Sequence, residues 1–206
     1  DLMPQPEARC ASGHEARSLI RRLTVTSGSI SFTMRCTPRF DYAREVPAAA
    51  AIEGGVRFSG RQLSLSLYAS LALEPEEGAA SARFTLSKGE SAWFVLGDDT
   101  LPCPDDAAIQ AQIDATTHVW RGWLRQSTYQ GRWREQVLRS ALSLKLLTSA
   151  RHGAIAAAGT FSLPEAKGSE RNWDYRATWI RDASFTVYAF LRLGFTEEAE
   201  HYNRWV

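Results

Sequence analysis

The sequence predicts an antiparallel β-sandwich followed by helices that bury themselves among other helices. Three observations predict it. In the first hundred residues, apolar and polar side chains alternate with period two, the pattern of strands with one buried and one wet face. Turn signals separate those runs, at Ser27-Gly28, Gly54-Gly55, Ser59-Gly60, Glu77-Gly78 and Lys88-Gly89. Beyond Leu101 the apolar period lengthens to that of a helix, with an apolar face too wide for a surface helix.

Taken in order, Ile30, Phe32, Met34 and Cys36 alternate with Ser31, Thr33 and Arg35. Leu63, Leu65 and Leu67 alternate with Ser64 and Ser66, and Ala82, Phe84 and Leu86 with Arg83 and Thr85. Trp93-Phe94-Val95-Leu96 has no polar partner residues and predicts a strand buried on both faces. Pro102 and Pro104 stop that strand, and Asp105-Asp106 suit a helix start. Ile109, Ile113, Thr117, Trp120 and Leu124 then recur at helical spacing up to Gly131. A second helix carries Trp133, Val137, Ala141, Leu144 and Thr148, flanked by Leu138, Leu142 and Leu146. Residues 150–178, with Gly153, Gly159, Pro164 and Gly168, read as a long loop. A third helix runs from Asp182 to Leu193 with Gly194 as its C-cap, and Thr196-Glu197-Glu198 starts a fourth. The chain opens at Asp1 and stops at Val206 inside a predicted helix, so both ends are expected to be cuts.

Composition bounds the function classes. The 206 residues are 44% hydrophobic and 23% charged, with a net charge of +1, which leaves no electrostatic footprint for nucleic acid or an anionic membrane. No apolar run approaches the roughly 18 residues of a membrane span. Cys10, Cys36 and Cys103 are odd in number and widely spaced, so neither a disulfide framework nor a metal site is implied. They fit a reducing, cytoplasmic compartment. All seven tryptophans lie at or beyond residue 93.

Phosphate-loop, dinucleotide, zinc-protease and nucleophile-elbow motifs are absent, and no cofactor is implied. His14, His118, His152 and His201 are isolated. One segment is dense in chemistry: Arg171-Asn172-Trp173-Asp174-Tyr175-Arg176-Ala177-Thr178-Trp179-Ile180-Arg181-Asp182. An aromatic ring covers the apolar face of a pyranose, while Arg and Asp offer paired donors and acceptors to its hydroxyls. The same residues admit a plainer reading, with Asp182 capping the next helix, the tryptophans in a core, and the arginines in surface ion pairs.

Asn172-Trp173-Asp174-Tyr175-Arg176, followed by Trp179-Ile180-Arg181-Asp182-Ala183-Ser184, resembles glycoside hydrolase family 15, the glucoamylase and trehalase group. Gly153-Ala154-Ile155, Ser162-Leu163-Pro164-Glu165, Trp120, Trp123 and the stretch from Gly131 to Leu147 extend the resemblance. Asp1-Leu2-Met3-Pro4 and Arg39-Phe40-Asp41-Tyr42 resemble the family's leading β-sandwich. The resemblance implies a β-sandwich over 1–100, a linker helix over 101–130, and the start of an (α/α)6 barrel over 131–206. It implies hydrolysis of α-glucosidic bonds with inversion, acting on an α-glucan, a maltooligosaccharide or trehalose. Tyr175 matches the aromatic beneath the terminal glucose, Trp179 a wall of that subsite, and Arg181 with Asp182 the pair that binds its 4- and 6-hydroxyls.

The family's general acid and base lie further along the barrel, so both are expected beyond Val206, and this segment alone is expected to be inactive. Glu165 reads as loop structure, and Glu197-Glu198 as acidic bias at a helix N-terminus. The chain departs from the family at Ser149-Ala150-Arg151-His152, Gly159 and Ala177, beside the four matched positions. A different class, a carbohydrate-binding or structural protein without catalysis, stays open at this point.

Overall fold

A computed structural model describes residues 1–4, 18–160 and 163–206. Cys10, His14 and Ser162 lie outside the described residues. The chain divides into two compact units, Asp1–Val119 and Trp120–Val206.

The first unit holds eight strands: β1 (Ser18–Thr24), β2 (Ser29–Cys36), β3 (Ala48–Ile52), β4 (Gly55–Ser59), β5 (Ser64–Ala69), β6 (Glu74–Glu76), β7 (Ala79–Ser87) and β8 (Ser91–Asp98). They form a five-stranded sheet in the order β1-β8-β5-β4-β3 and a three-stranded sheet in the order β2-β7-β6, antiparallel throughout. The two sheets share one core. Val56, Phe58, Leu67, Ala92 and Phe94 come from the larger sheet, and Phe32, Met34, Ala80, Phe84 and Leu86 from the smaller. This is the sandwich that the period-two alternation predicts.

The larger sheet is buried on both faces where the sequence predicts it. Ala92 and Phe94 of β8 point to the sandwich core, while Trp93 and Val95 join Ile20, Tyr68, Leu101 and Ile109 in a second core. Ile109 belongs to α1 (Asp106–Leu124), the helix that follows β8. Asp105 Oδ1 caps this helix by accepting from the Ala108 N–H at 2.7 Å, and the Trp93 indole N–H donates to Asp106. The acidic pair thus divides its work, one residue ending the backbone ladder and the other tying helix to sheet.

That second core changes the reading of β5. Ser66 was expected on a wet face, yet it is fully buried beside Tyr68, and its hydroxyl has no hydrogen-bond partner. Leu63 lies just before the strand and is exposed, as is Ile30 in β2. Burial raises the Cys36 thiol above its ordinary 9.0, with Arg21 pulling it down less strongly; Cys36 and Cys103 are free. No helix among the described residues is long and apolar enough to cross a membrane.

The second unit holds the end of α1 with α2 (Arg134–Leu146), α3 (Ile180–Leu193) and α4 (Thr196–Trp205). Trp123, Ala141, Phe190 and Phe195 form its core, with Trp123 stacked on Phe195 at 4.0 Å. Gly194 ends α3 in the left-handed region at φ 92, where a Cβ would meet Thr128 at 2.9 Å, so the predicted glycine cap is doubly required. The wide apolar face of α2 is only partly covered: Ala141 is buried, but Trp133 and Leu146 are exposed.

The docking of α1 on the sheet generates a test. Ile109→Ala removes a side chain that is 1% exposed and should cost about 2–5 kcal/mol, read as a lower urea midpoint. A midpoint unchanged from wild type would mean that α1 does not cover this face.

Candidate functional site

Residues 171–179 form the approach to α3, and the helix begins at Ile180. Trp179 occupies the N-cap position with extended backbone and no side-chain cap bond. Asp182 therefore does not cap the helix. It sits in the first turn, where a carboxylate is favoured by the amide dipoles, and its Oδ2 faces Arg181 at 3.5 Å. Ala183, Thr186 and Phe190 form the buried face of α3, which fixes the register and leaves Arg181 exposed and Asp182 half-buried.

The aromatics gather around Trp179. Tyr175 lies 5.5 Å from it at 39°, and Trp173 meets it edge-on at 6.3 Å. Trp173 is 52% exposed, so it is not a core residue. All four residues expected at the sugar site, Tyr175, Trp179, Arg181 and Asp182, are thus placed on one loop-to-helix junction, two as touching rings and two as a charged pair. Of the other arginines, Arg176 pairs with Asp174 at 2.9 Å and Arg171 lies 3.8 Å from Glu165. The junction offers aromatic faces beside unblocked donors and acceptors, which is what a pyranose requires. Among the described residues no group of His, Cys, Asp and Glu could hold a metal ion.

Glu198 is the residue that sequence reasoning missed. The sequence reads Glu197-Glu198 as acidic bias at a helix N-terminus, and both do lie in the first turn of α4, but while Glu197 is exposed, Glu198 is 4% exposed. Its Oε1 accepts from the Trp123 indole N–H at 2.6 Å and from Lys145 Nζ at 2.8 Å, and Lys145 also lies 5.8 Å over the Trp123 ring. Oε2 is buried without a hydrogen-bond partner. Burial alone pushes the Glu198 carboxyl up; the bonds from Lys145 and Trp123 outweigh it and leave the carboxyl below its ordinary 4.5. A signal did exist. Lys145 interrupts the apolar stripe of α2, one turn after Ala141, and a cation there needs a buried partner.

The model of the family "Glycosyl hydrolases family 15" matches residues 131–206. A trehalase of Thermoplasma acidophilum is 34% identical over 97% of this chain and 34% of its own length. Trehalases of Mycolicibacterium smegmatis and Mycobacterium tuberculosis are 35% and 36% identical, each over 89% of this chain and over 29% and 28% of their own lengths. The chain spans about a third of the length of the curated relatives it matches. The similarity covers the sandwich as well as the helices, because the aligned region takes in nearly all of the chain.

The Glu198 ion pair makes two predictions. Lys145→Met leaves a buried carboxylate without its cation and should cost about 3 kcal/mol in thermal or urea unfolding. A depressed folded-state value means that the unfolded chain binds the proton more readily, so Glu198 contributes stability above pH 4.5 that is lost as pH falls below it. Glu198→Gln should flatten that acid limb; a limb of wild-type slope would show that Glu198 does not drive it.

Proposed function

We propose that this chain is the leading portion of a trehalase that hydrolyses trehalose with inversion, and that the junction at Tyr175–Asp182 binds its terminal glucose. The observation that carries the reading is the junction itself: the tilted, adjoining rings of Tyr175 and Trp179 beside the exposed Arg181 and half-buried Asp182. The names of the relatives favour trehalose over maltooligosaccharides and α-glucans. On this reading residues 1–100 are the sandwich, 101–130 a linker, and 131 onward the first helices of an (α/α)6 barrel.

The chemistry assigns a definite task to each group. Tyr175 supports the apolar face of the sugar and Trp179 walls it. Arg181 donates to, and Asp182 accepts from, the hydroxyls that mark a free terminal residue. A substituted hydroxyl would leave that pair unpaired and desolvated, which rejects internal sugar units. The reaction needs two further carboxyl groups, roughly 6.5–9.5 Å apart, one protonating the glycosidic oxygen and the other activating water on the opposite face. None of Glu165, Glu170, Glu197 and Glu198 is assigned either role; Glu198 is committed to Lys145 and Trp123. On this reading both lie beyond Val206.

The test is kinetic and stereochemical. In the full-length protein, Asp182→Ala should lower kcat/KM on trehalose at least about 100-fold, the loss of charge-assisted bonds to hydroxyls. Inversion at one anomeric carbon of an α,α-linked substrate should release α- and β-glucose in equal amounts, visible by NMR before mutarotation. Near wild-type turnover in the variant would remove Asp182 from the site. Release of the α anomer alone would overturn inversion.

A further inference from the structure

Asp174 and Arg176 flank Tyr175, and the structure uses them on each other. Asp174 Oδ1 accepts from the Arg176 backbone N–H at 3.0 Å and from Arg176 Nε at 2.9 Å, while Oδ2 accepts from the second guanidinium nitrogen at 2.9 Å. The backbone bond is an Asx turn, and the two side-chain bonds form a bidentate fork across it. The same residue acts in a third way: its carbonyl oxygen accepts from the Trp179 indole N–H at 3.1 Å. The backbone of the turn is held as well, by Ala157 N–H donating to the carbonyls of Tyr175 and Ala177 at 3.0 and 3.2 Å. Tyr175 thus has its backbone fixed on both sides, and Trp179 has its ring fixed by the residue before Tyr175.

We propose that Asp174, with Arg176, is a positioning residue that sets the distance and tilt of the Tyr175–Trp179 wall for a sugar ring. The inference rests on the reading of this junction as a glucose site. Both side chains of the fork are about half exposed, so the pair adds little to global stability. Its effect lies in the geometry of the wall, and so in how tightly the sugar ring is held. Arg176 and Asp174 were open to direct roles as sugar ligands in the sequence; the fork instead gives their planar hydrogen-bonding edges to each other.

The experiment is a double-mutant cycle in the full-length protein with trehalose as the probe: Asp174→Ala, Arg176→Ala and the pair together, with Arg176→Lys as the conservative variant. Positioning predicts that KM rises about 10-fold or more in each single variant while kcat falls less. The double variant should be no worse than either single one, because both break one unit. Arg176→Lys, which keeps the charge but not the fork, should fall between wild type and Arg176→Ala. The melting temperature should stay close to wild type. An active wild type whose KM is unmoved by Asp174→Ala overturns this inference alone. Losses that multiply in the double variant also overturn it, since they mark independent sugar ligands. A wild type inert on trehalose overturns the glucose-site reading and this inference with it.

Discussion

Taking a carboxylate out of water costs several kcal/mol unless a cation and hydrogen bonds are returned to it. Glu198 of α4 has been taken out, and what is returned comes from two other helices, Lys145 near the end of α2 and Trp123 near the end of α1. The helical unit therefore depends on three chain segments meeting at one atom, Oε1. Apolar packing among Trp123, Phe190 and Phe195 is compatible with sliding; a carboxylate shared by an ammonium and an indole is not. The left-handed Gly194 ends α3, and α4 begins two residues later at Thr196, so Glu198 follows closely on the Phe190–Phe195 part of the core.

The junction proposed to bind sugar is built on that frame. Ala183, Thr186 and Phe190 bury one side of α3, and Phe190 reaches the same core as Trp123. The first turn of α3 then carries Arg181 and Asp182 outward, with Trp179 at the helix start. Rigid helix and pinned turn meet at Trp179, so the charged pair and the aromatic rings are placed by two independent devices. The register of α3 sets the pair, and the Asp174–Arg176 turn sets the rings.

How much of this could be read from the chain differs from residue to residue. Strands with strong alternation, such as β7, and the double-sided β8 were legible because burial and period agree. β3 was not: Ala48–Ile52 is an alanine run, a poor strand former that reads as low complexity, and it pairs only because β4 offers it an edge. β1 hid because Ile20 and Leu23 serve opposite faces around two arginines. The wetness assigned to Ser66 was wrong because alternation cannot show that a helix covers the second face. At the site, the residues and their place at a loop-to-helix junction were legible. The role of Glu198 was not, since nothing local marks a first-turn acid as buried; only Lys145 on an apolar stripe hinted at it. For Asp174 and Arg176 the sequence left two readings open, surface pair and sugar ligand.

On the proposed function one short stretch, from Trp173 to Asp182, meets the substrate. Amide hydrogen exchange on the full-length protein tests it most directly, with and without a non-cleavable trehalose analogue. Bound analogue should slow exchange over 173–182 and at Ala157 and Ala158, whose N–H groups hold the carbonyl of Tyr175. Saturating analogue that slows exchange elsewhere and leaves 173–182 unchanged would contradict it.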